Sequence, residues 1–260
     1  MAPGPGTQRP QAAPAQPQAP AAQAPAQAQQ QQAPAPAKPY KTIAVTLPPA
    51  SNDASFAAFR KQLGDIAQKK DRAALARLVV ASGFFWEGEN GDKADKKKSA
   101  VDNLGAALGG FTGAEAGAWD TLMAAAAEPT IEPFADKKNV MCSPANPTFD
   151  EQAFEAVAKD TGTDLDEWAF PTGSGIDVRG AAQANAPVVE KLGMNLVRVL
   201  PDEPSTSGAP GDAPPFVRVV TPSGKTGFVP ADAVASLISD QLCYVKDAAG
   251  WKITGFVGGS

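Results

Sequence analysis

Histidine is absent from the 260 residues. Its absence removes the side chain that most often acts as a base near neutrality and as a metal ligand, so Ser-His-Asp, Cys-His and His-zinc sites are excluded. Cysteine is scarce too: Cys142 and Cys243 stand alone, with no Cys-x-x-Cys pair for zinc or for thioredoxin-like exchange. No run of 18 apolar residues occurs, so no transmembrane helix is expected, and no basic segment leads into an apolar one as in an intact export signal. Positive charge is not in excess. The 23 Lys and Arg against 28 Asp and Glu give a net charge of -5, a balance that attracts neither nucleic acid nor an anionic lipid surface.

What is present begins with a tail. Residues 1–39 hold 13 Ala, 10 Pro and 10 Gln, with no Leu, Ile, Val or aromatic among them. Such a segment has nothing to bury, and proline at this density favours an extended polyproline-II-like tether over a helix. The tether is drawn over residues 1–49. Met1 followed by Ala-Pro-Gly-Pro suits a mature sequence whose targeting segment has been removed, so a periplasmic or secreted location is expected, with the cytoplasm as the alternative. The two cysteines leave a disulfide or two buried thiols. In an exported protein the disulfide is the expectation, and on the chain-entropy model it would add about 4 to 5 kcal/mol.

Residues 50–128 read as a helical domain of about four helices with a short strand. Phe56, Phe59, Leu63 and Ile66 recur at steps of three and four, behind Asn52 or Asp53 as a cap. Asp71 restarts the pattern for Leu75, Leu78 and Val79, in a helix ending near Gly83. Phe84, Phe85 and Trp86 suit a short half-buried strand, with Phe85 on the opposite face from its neighbours. The acidic loop after it, Glu87 to Asp92, lacks carboxylates at the alternate positions that a calcium loop needs. The lysine run Lys93, Lys96, Lys97 and Lys98 reads as a solvated face. Val101, Leu104 and Leu108 mark a third helix, and Thr112 with Glu115 forms a capping box for a fourth that carries Trp119, Leu122 and Met123.

Residues 129–174 form a proline-containing connector with one helix, opened by a second capping box at Thr148 and Glu151. Asp160, Asp164, Asp166 and Glu167 cluster near its end, without the spacing that closes a metal shell. From residue 175 to 260 the texture is β: short runs of β-branched and aromatic residues broken by Gly, Pro, Ser and Asp, with Ser223-Gly224 as a hairpin turn and Pro201 to Pro215 as a long polar loop. The fold class is therefore α+β, a helical unit followed by a small β unit.

The β unit carries a resemblance. Gly175-Ile176-Asp177-Val178-Arg179, then Ala186-Pro187-Val188-Val189-Glu190-Lys191-Leu192, resembles the opening of bacterial Src-homology-3-like (SH3-like, SH3b) domains. Phe216-Val217-Arg218-Val219 with Ser223-Gly224-Lys225-Thr226-Gly227-Phe228-Val229 resembles their central hairpin, with Phe216 and Phe228 where the family often has Trp. The similarity spans residues 175–237. It implies a small extracytoplasmic SH3-like β-barrel that binds cell-wall material or peptides, or serves in assembly, without catalysis.

The resulting expectation is a noncatalytic, exported binding or assembly protein of the bacterial cell envelope. Its partners would be peptidoglycan or an envelope peptide or protein, with no cofactor, no metal and no nucleic acid. Exposed aromatic surface on the β unit would hold the ligand, with Phe216, Phe228, Tyr244 and Trp251 as candidates. Alternation also makes Tyr244 and Trp251 core by default. The first helix pair also looks like the start of small cone-shaped α+β folds, so the alternative is a pocket-binding protein or an isomerase-like enzyme that uses the helical unit. That alternative requires two convergent acids in a pocket.

Overall fold

The computed structural model describes Met1 and residues 37–112, 117–201 and 216–258. Most of the expected tether and of the Pro201 to Pro215 loop, together with Glu115 of the first capping box, lie outside the described residues. Five α-helices and three sheets are formed by the described residues from 37 onward, which lie within one compact unit.

After a short strand β1 (Val45–Thr46) the chain forms α1 (Ala54–Lys69). Asp53 starts it by accepting the amides of Ser55 and Phe56, and the stripe Phe56, Phe59, Leu63, Ile66 is buried. Asp71 caps α2 (Arg72–Leu78) in the same way, through the amide of Ala74. The helix does not run on to Gly83. Val79 is extended and forms a β-bridge with Ile253, so pairing with a distant strand ends the helix before the glycine. Strands β2 (Phe85–Gly88) and β3 (Gly91–Asp92) form a hairpin, followed by α3 (Ala100–Ala107) and α4 (Ala118–Ala127).

Strands β4 (Glu132–Pro133), β5 (Val140–Ser143) and β6 (Thr148–Phe149) lead to α5 (Glu151–Thr161). The expected Thr148 capping box is replaced: Thr148 pairs with Thr46 in the two-stranded sheet of β1 and β6, and Asp150 caps α5 by accepting the amide of Ala153. The rest of the chain is β7 (Trp168–Pro171), β8 (Ile176–Arg179), β9 (Val188–Leu192), β10 (Val197–Val199), β11 (Phe216–Val220), β12 (Thr226–Pro230), β13 (Val234–Ser236), β14 (Gln241–Asp247) and β15 (Gly250–Val257).

These strands sort into two larger sheets in a way that chain order does not announce. One sheet has the order β3-β2-β15-β14-β5-β4, antiparallel except where β15 meets β2. Helices α1 to α4 cover one of its faces, where Phe56, Leu63, Leu75, Leu104 and Leu122 pack with Leu242, Tyr244, Ile253 and Phe256. Phe85, Val140, Cys142 and Cys243 cluster separately. Strands β14 and β15 thus belong with the helices and not with the β unit drawn over residues 175–260. The physical reason is that the apolar stripes of four helices need an apolar sheet face to close on, and the last hairpin supplies it.

The second sheet has the order β13-β7-β10-β11-β12-β8-β9 and is antiparallel throughout. Val178, Val197, Val219 and Val229 are fully buried on one of its faces, in a cluster whose members all come from this sheet or its immediate flanks. No second layer covers them, so the sheet rolls over its own inner face. No pairing joins the end strands β9 and β13 among the described residues, so the expected closed barrel is instead an open roll. On the outer face, Trp168, Leu196 and Val220 pack against Phe154 and Val157 of α5 and against Tyr40, Ile43 and Val45. The Tyr40 hydroxyl donates to the Val220 carbonyl at 2.8 Å. Residues 37–49 are therefore part of the fold and not of a tether, because Tyr40 and Ile43 close the outer side of the roll.

The rolled lobe is an insertion. The chain leaves the helix-backed sheet after β5 and returns at β14, its neighbour in that sheet, and the disulfide Cys142–Cys243 joins the two strands at that point.

Candidate binding face

Register fixes which side chains share the outer face of the roll. Strands β11 and β12 pair Phe216 with Pro230, Arg218 with Phe228 and Val220 with Thr226, and Phe228 also pairs with Arg179 of β8. Directly opposed residues point to the same side of a sheet, and alternate residues along a strand do too. Phe216, Arg218, Phe228, Pro230 and Arg179 therefore form one continuous surface, while Val219 and Val229 face inward. Gly227 permits the close approach of β8 to β12: a Cβ there would lie 2.6 Å from the Arg179 carbonyl and 2.5 Å from Val178.

The cover provided by α5 and residues 37–47 reaches Val220 and stops there. Phe216 and Phe228 are half-buried and belong to none of the hydrophobic clusters. Charge on this face is unevenly answered. Arg179 donates to the Ala186 carbonyl at 2.9 Å and pairs with Asp177 at 3.1 Å, and Asp177 also holds Lys191. Those two cations keep the Asp177 carboxyl below the usual carboxylate range, with the Lys191 contact the largest cause. Arg198, opposite Val220 on β10, pairs with Glu167 at 2.9 Å. The Arg218 side chain has no hydrogen bond or ion pair among the described residues, and its Nε, like that of Arg198, is buried without an acceptor there.

The four candidate aromatics do not come together. Phe216 and Phe228 share the face just described, but Tyr244 and Trp251 lie in the helix-backed lobe. Tyr244 is fully buried, with its ring 5.3 Å from Phe56 and 5.6 Å from Phe59. Burial pushes its hydroxyl well above the usual phenol range, and that hydroxyl has no hydrogen-bond partner among the described residues. Trp251 packs on Phe56 at 5.1 Å, donates from Nε1 to Ser55 Oγ at 3.0 Å and lies under Lys246. Both residues knit the last hairpin to α1, so placing them on a ligand surface of the β unit is corrected: the sheet they belong to is another one.

The acidic cluster before β7 also separates. Asp160 pairs with Lys38 and Glu167 with Arg198, while Asp164 and Asp166 sit at a short turn. No group of three or more His, Cys, Asp or Glu side chains placed to hold a metal exists among the described residues. A cavity of about 610 Å³ beside the β2–β3 hairpin does contain two acids, Asp92 and Asp95, with Lys96, Lys98 and Lys137. These carboxylates are turned onto backbone amides, Asp92 to Trp86 and Ala94, Asp95 to Lys97. They hold the loop's shape and do not converge as an acid and base pair would.

Sequence reasoning passed over Arg218. The signal was available only as a charged residue two positions after an aromatic in an alternating strand; its cross-strand neighbour is what sets it apart. No protein-family model, curated protein or solved structure matches the chain.

Proposed function

We propose that the chain is a noncatalytic binding or assembly protein of the bacterial envelope, periplasmic or secreted, whose inserted lobe is an SH3-like module for cell-wall material or peptide. The observation that carries this reading is the joint placement of Phe216, Arg218 and Phe228 on the part of the rolled sheet that α5 leaves uncovered. Aromatic faces beside a guanidinium combine apolar contact with directed hydrogen bonding, the composition of a recognition surface. The disulfide supports the compartment, since such bonds persist under oxidising conditions. No helix among the described residues is long and apolar enough to cross a membrane.

Sedimentation with purified peptidoglycan tests the proposal. The full chain is expected to pellet, and the double variant Phe216→Ala, Phe228→Ala to stay in the supernatant with an unchanged thermal midpoint. Equal pelleting of the two proteins would remove the face from the proposal, and failure of the wild type to pellet would remove the peptidoglycan reading. Point variants are the right tool. Cutting the chain at residue 129 would separate α1 to α4 from β14 and β15, which complete their core.

A further inference from the structure

Two of the three arginines on the outer face of the roll are answered by carboxylates, Arg179 by Asp177 and Arg198 by Glu167. Arg218 is on β11, which lies between their strands, and no anion answers it among the described residues. Holding a guanidinium partly out of water without a counter-charge is unfavourable. Among the described residues that unpaired group sits at the centre of a half-buried patch that α5 and residues 37–47 do not cover, with Phe228 directly across the strand pair and Phe216 two residues away on the same side. In an acidic chain with a net charge of -5, such a position is not part of a general cationic surface. It is one cation with two aromatic walls.

We infer that Arg218 is the anchor for a free carboxylate of a short peptide, with Phe216 and Phe228 contacting the one or two residues beside it. The inference rests on the envelope-binding reading and narrows its ligand. A guanidinium fork matches the two oxygens of a carboxylate and accommodates neutral sugar hydroxyls less well. In peptidoglycan the lactyl carboxyl of the glycan is amide-linked to the peptide, so free carboxylates lie on the peptide and not on the sugar strand. The dimensions agree. Cross-strand neighbours have Cβ atoms about 5 Å apart, and alternate residues along a strand lie about 7 Å apart. That patch is about the reach of two extended residues.

The test uses the full chain and peptide-bearing fragments released from peptidoglycan by a muramidase. The fragments are intact or have their carboxylates converted to amides, and a chitin oligosaccharide, whose N-acetylhexosamines carry no carboxylate, serves as the bare glycan. Calorimetry is expected to show saturable binding of the intact fragments, binding of the amidated fragments about tenfold to a hundredfold weaker, and none of the bare glycan. Arg218→Gln is expected to lose the same factor on intact fragments and to be indifferent to amidation, closing a double-mutant cycle on this one contact. Arg218→Lys keeps the charge and the stem without the fork and is expected to lose less, about threefold to tenfold. Thermal midpoints are compared for all variants, so that a folding defect is not counted as lost binding.

Equal weakening of wild type and Arg218→Gln by amidation, or tight binding of bare glycan, would overturn the inference. If Arg218→Gln also still pelleted with whole peptidoglycan, the envelope-binding reading would stand without it. If wild type did not pellet at all, both would fall.

Discussion

The inner faces of the two sheets bury different kinds of side chain, while the outer face of the roll buries Trp168, Tyr40 and Phe154 at the end covered by α5 and residues 37–47. In the helix-backed lobe the core is made of large residues, Phe56, Phe59, Leu63, Trp119 and Tyr244, drawn from four helices and a hairpin at the far end of the chain. The rolled lobe closes on small β-branched residues, chiefly Val178, Val197, Val219 and Val229, all from one sheet and its flanks. A sheet rolled on itself has a narrow interior that valine fills, and larger side chains on the same strands must face outward. The aromatic residues under the four helices are thus interior, while on the outer face of the roll Trp168 is buried beneath Tyr40 and Phe154, and Phe216 and Phe228 stand half-buried beyond that cover. What an aromatic residue means in the second sheet depends on which end of the outer face it occupies.

The sharpest way to break this comparison is a pair of matched truncations. Phe56→Ala removes a ring that is 1% exposed and is expected to lower stability by about 3 to 5 kcal/mol. Phe228→Ala removes a ring packed on no core cluster and is expected to change stability by less than about 1 kcal/mol, the range of strand preference alone. Denaturant unfolding of both variants measures the contrast. Comparable losses would mean that Phe228 is part of a core after all.

Next in size is the bridge. Cys142 and Cys243 face each other across β5 and β14, and the loop they close contains every strand of the rolled sheet, with residues 37–49 packing on it from outside the loop. Replacing both with alanine is expected to cost about 2 to 5 kcal/mol, felt in the helix-backed sheet whose two strands it fastens. The inserted lobe has its own core and should keep its structure, which hydrogen exchange at the paired amides of β11 and β12 would report. Loss of that protection at the same denaturant concentration as the helical signal, in both the bridged and the bridgeless protein, would show that the lobes unfold as one.

What the sequence made legible was local. The α1 stripe is visible because residues three and four apart meet on one helix face whatever the rest of the chain does, and Asp53 needs only the next two amides. Pairing across the chain is not local. Nothing in the run Leu242 to Val245 states that it joins β5 and β15 and closes on helices, and adjacency in sequence favours the wrong partner, the β unit just before it. Tyr40 to Leu47 was hidden for the same reason: its value lies in the Val220 carbonyl and the Trp168 ring. Thr148 and Asp150 are both good caps, and only the pairing of Thr148 with Thr46 decides between them. In the sequence Arg218 is only one residue of the hairpin that carries the SH3-like resemblance, and register is what sets it beside two phenylalanines.

A smaller effect probes how the helix-backed lobe is fastened at its edge. The Asp53 carboxylate accepts from the Ser55 hydroxyl, Lys246 and the first amides of α1, and the Ser55 contact is the largest cause of its lowered pKa. A carboxyl held below its unfolded value binds fewer protons folded than unfolded. Its contribution is therefore complete above the unfolded value of about 4 and is lost as pH falls through the folded value. Asp53→Ala is expected to lower the thermal midpoint at neutral pH and to flatten its decline in acid. An acid limb with the same slope as wild type would show that the cap carries no pH-dependent stability.

The smallest change concerns a hydroxyl in that core. The Tyr244 ring packs on Phe56 and Phe59, and its buried Oη has no hydrogen-bond partner among the described residues, so folding strips it of water and returns nothing. Tyr244→Phe keeps the ring and its packing and removes only that oxygen. Deleting an unsatisfied buried group relieves its desolvation cost, against which stands the loss of a little van der Waals contact where the oxygen was. The variant is expected to be as stable as wild type or more stable by up to about 1 kcal/mol, in contrast to the loss that a core substitution ordinarily brings. A destabilisation larger than about 1 kcal/mol would mean that the hydroxyl is answered, by an ordered water or by the Arg60 guanidinium whose charge it feels. The core of the helix-backed lobe would then be polar at its centre, and the contrast with the valine-rich, wholly apolar inner cluster of the roll would be sharper still.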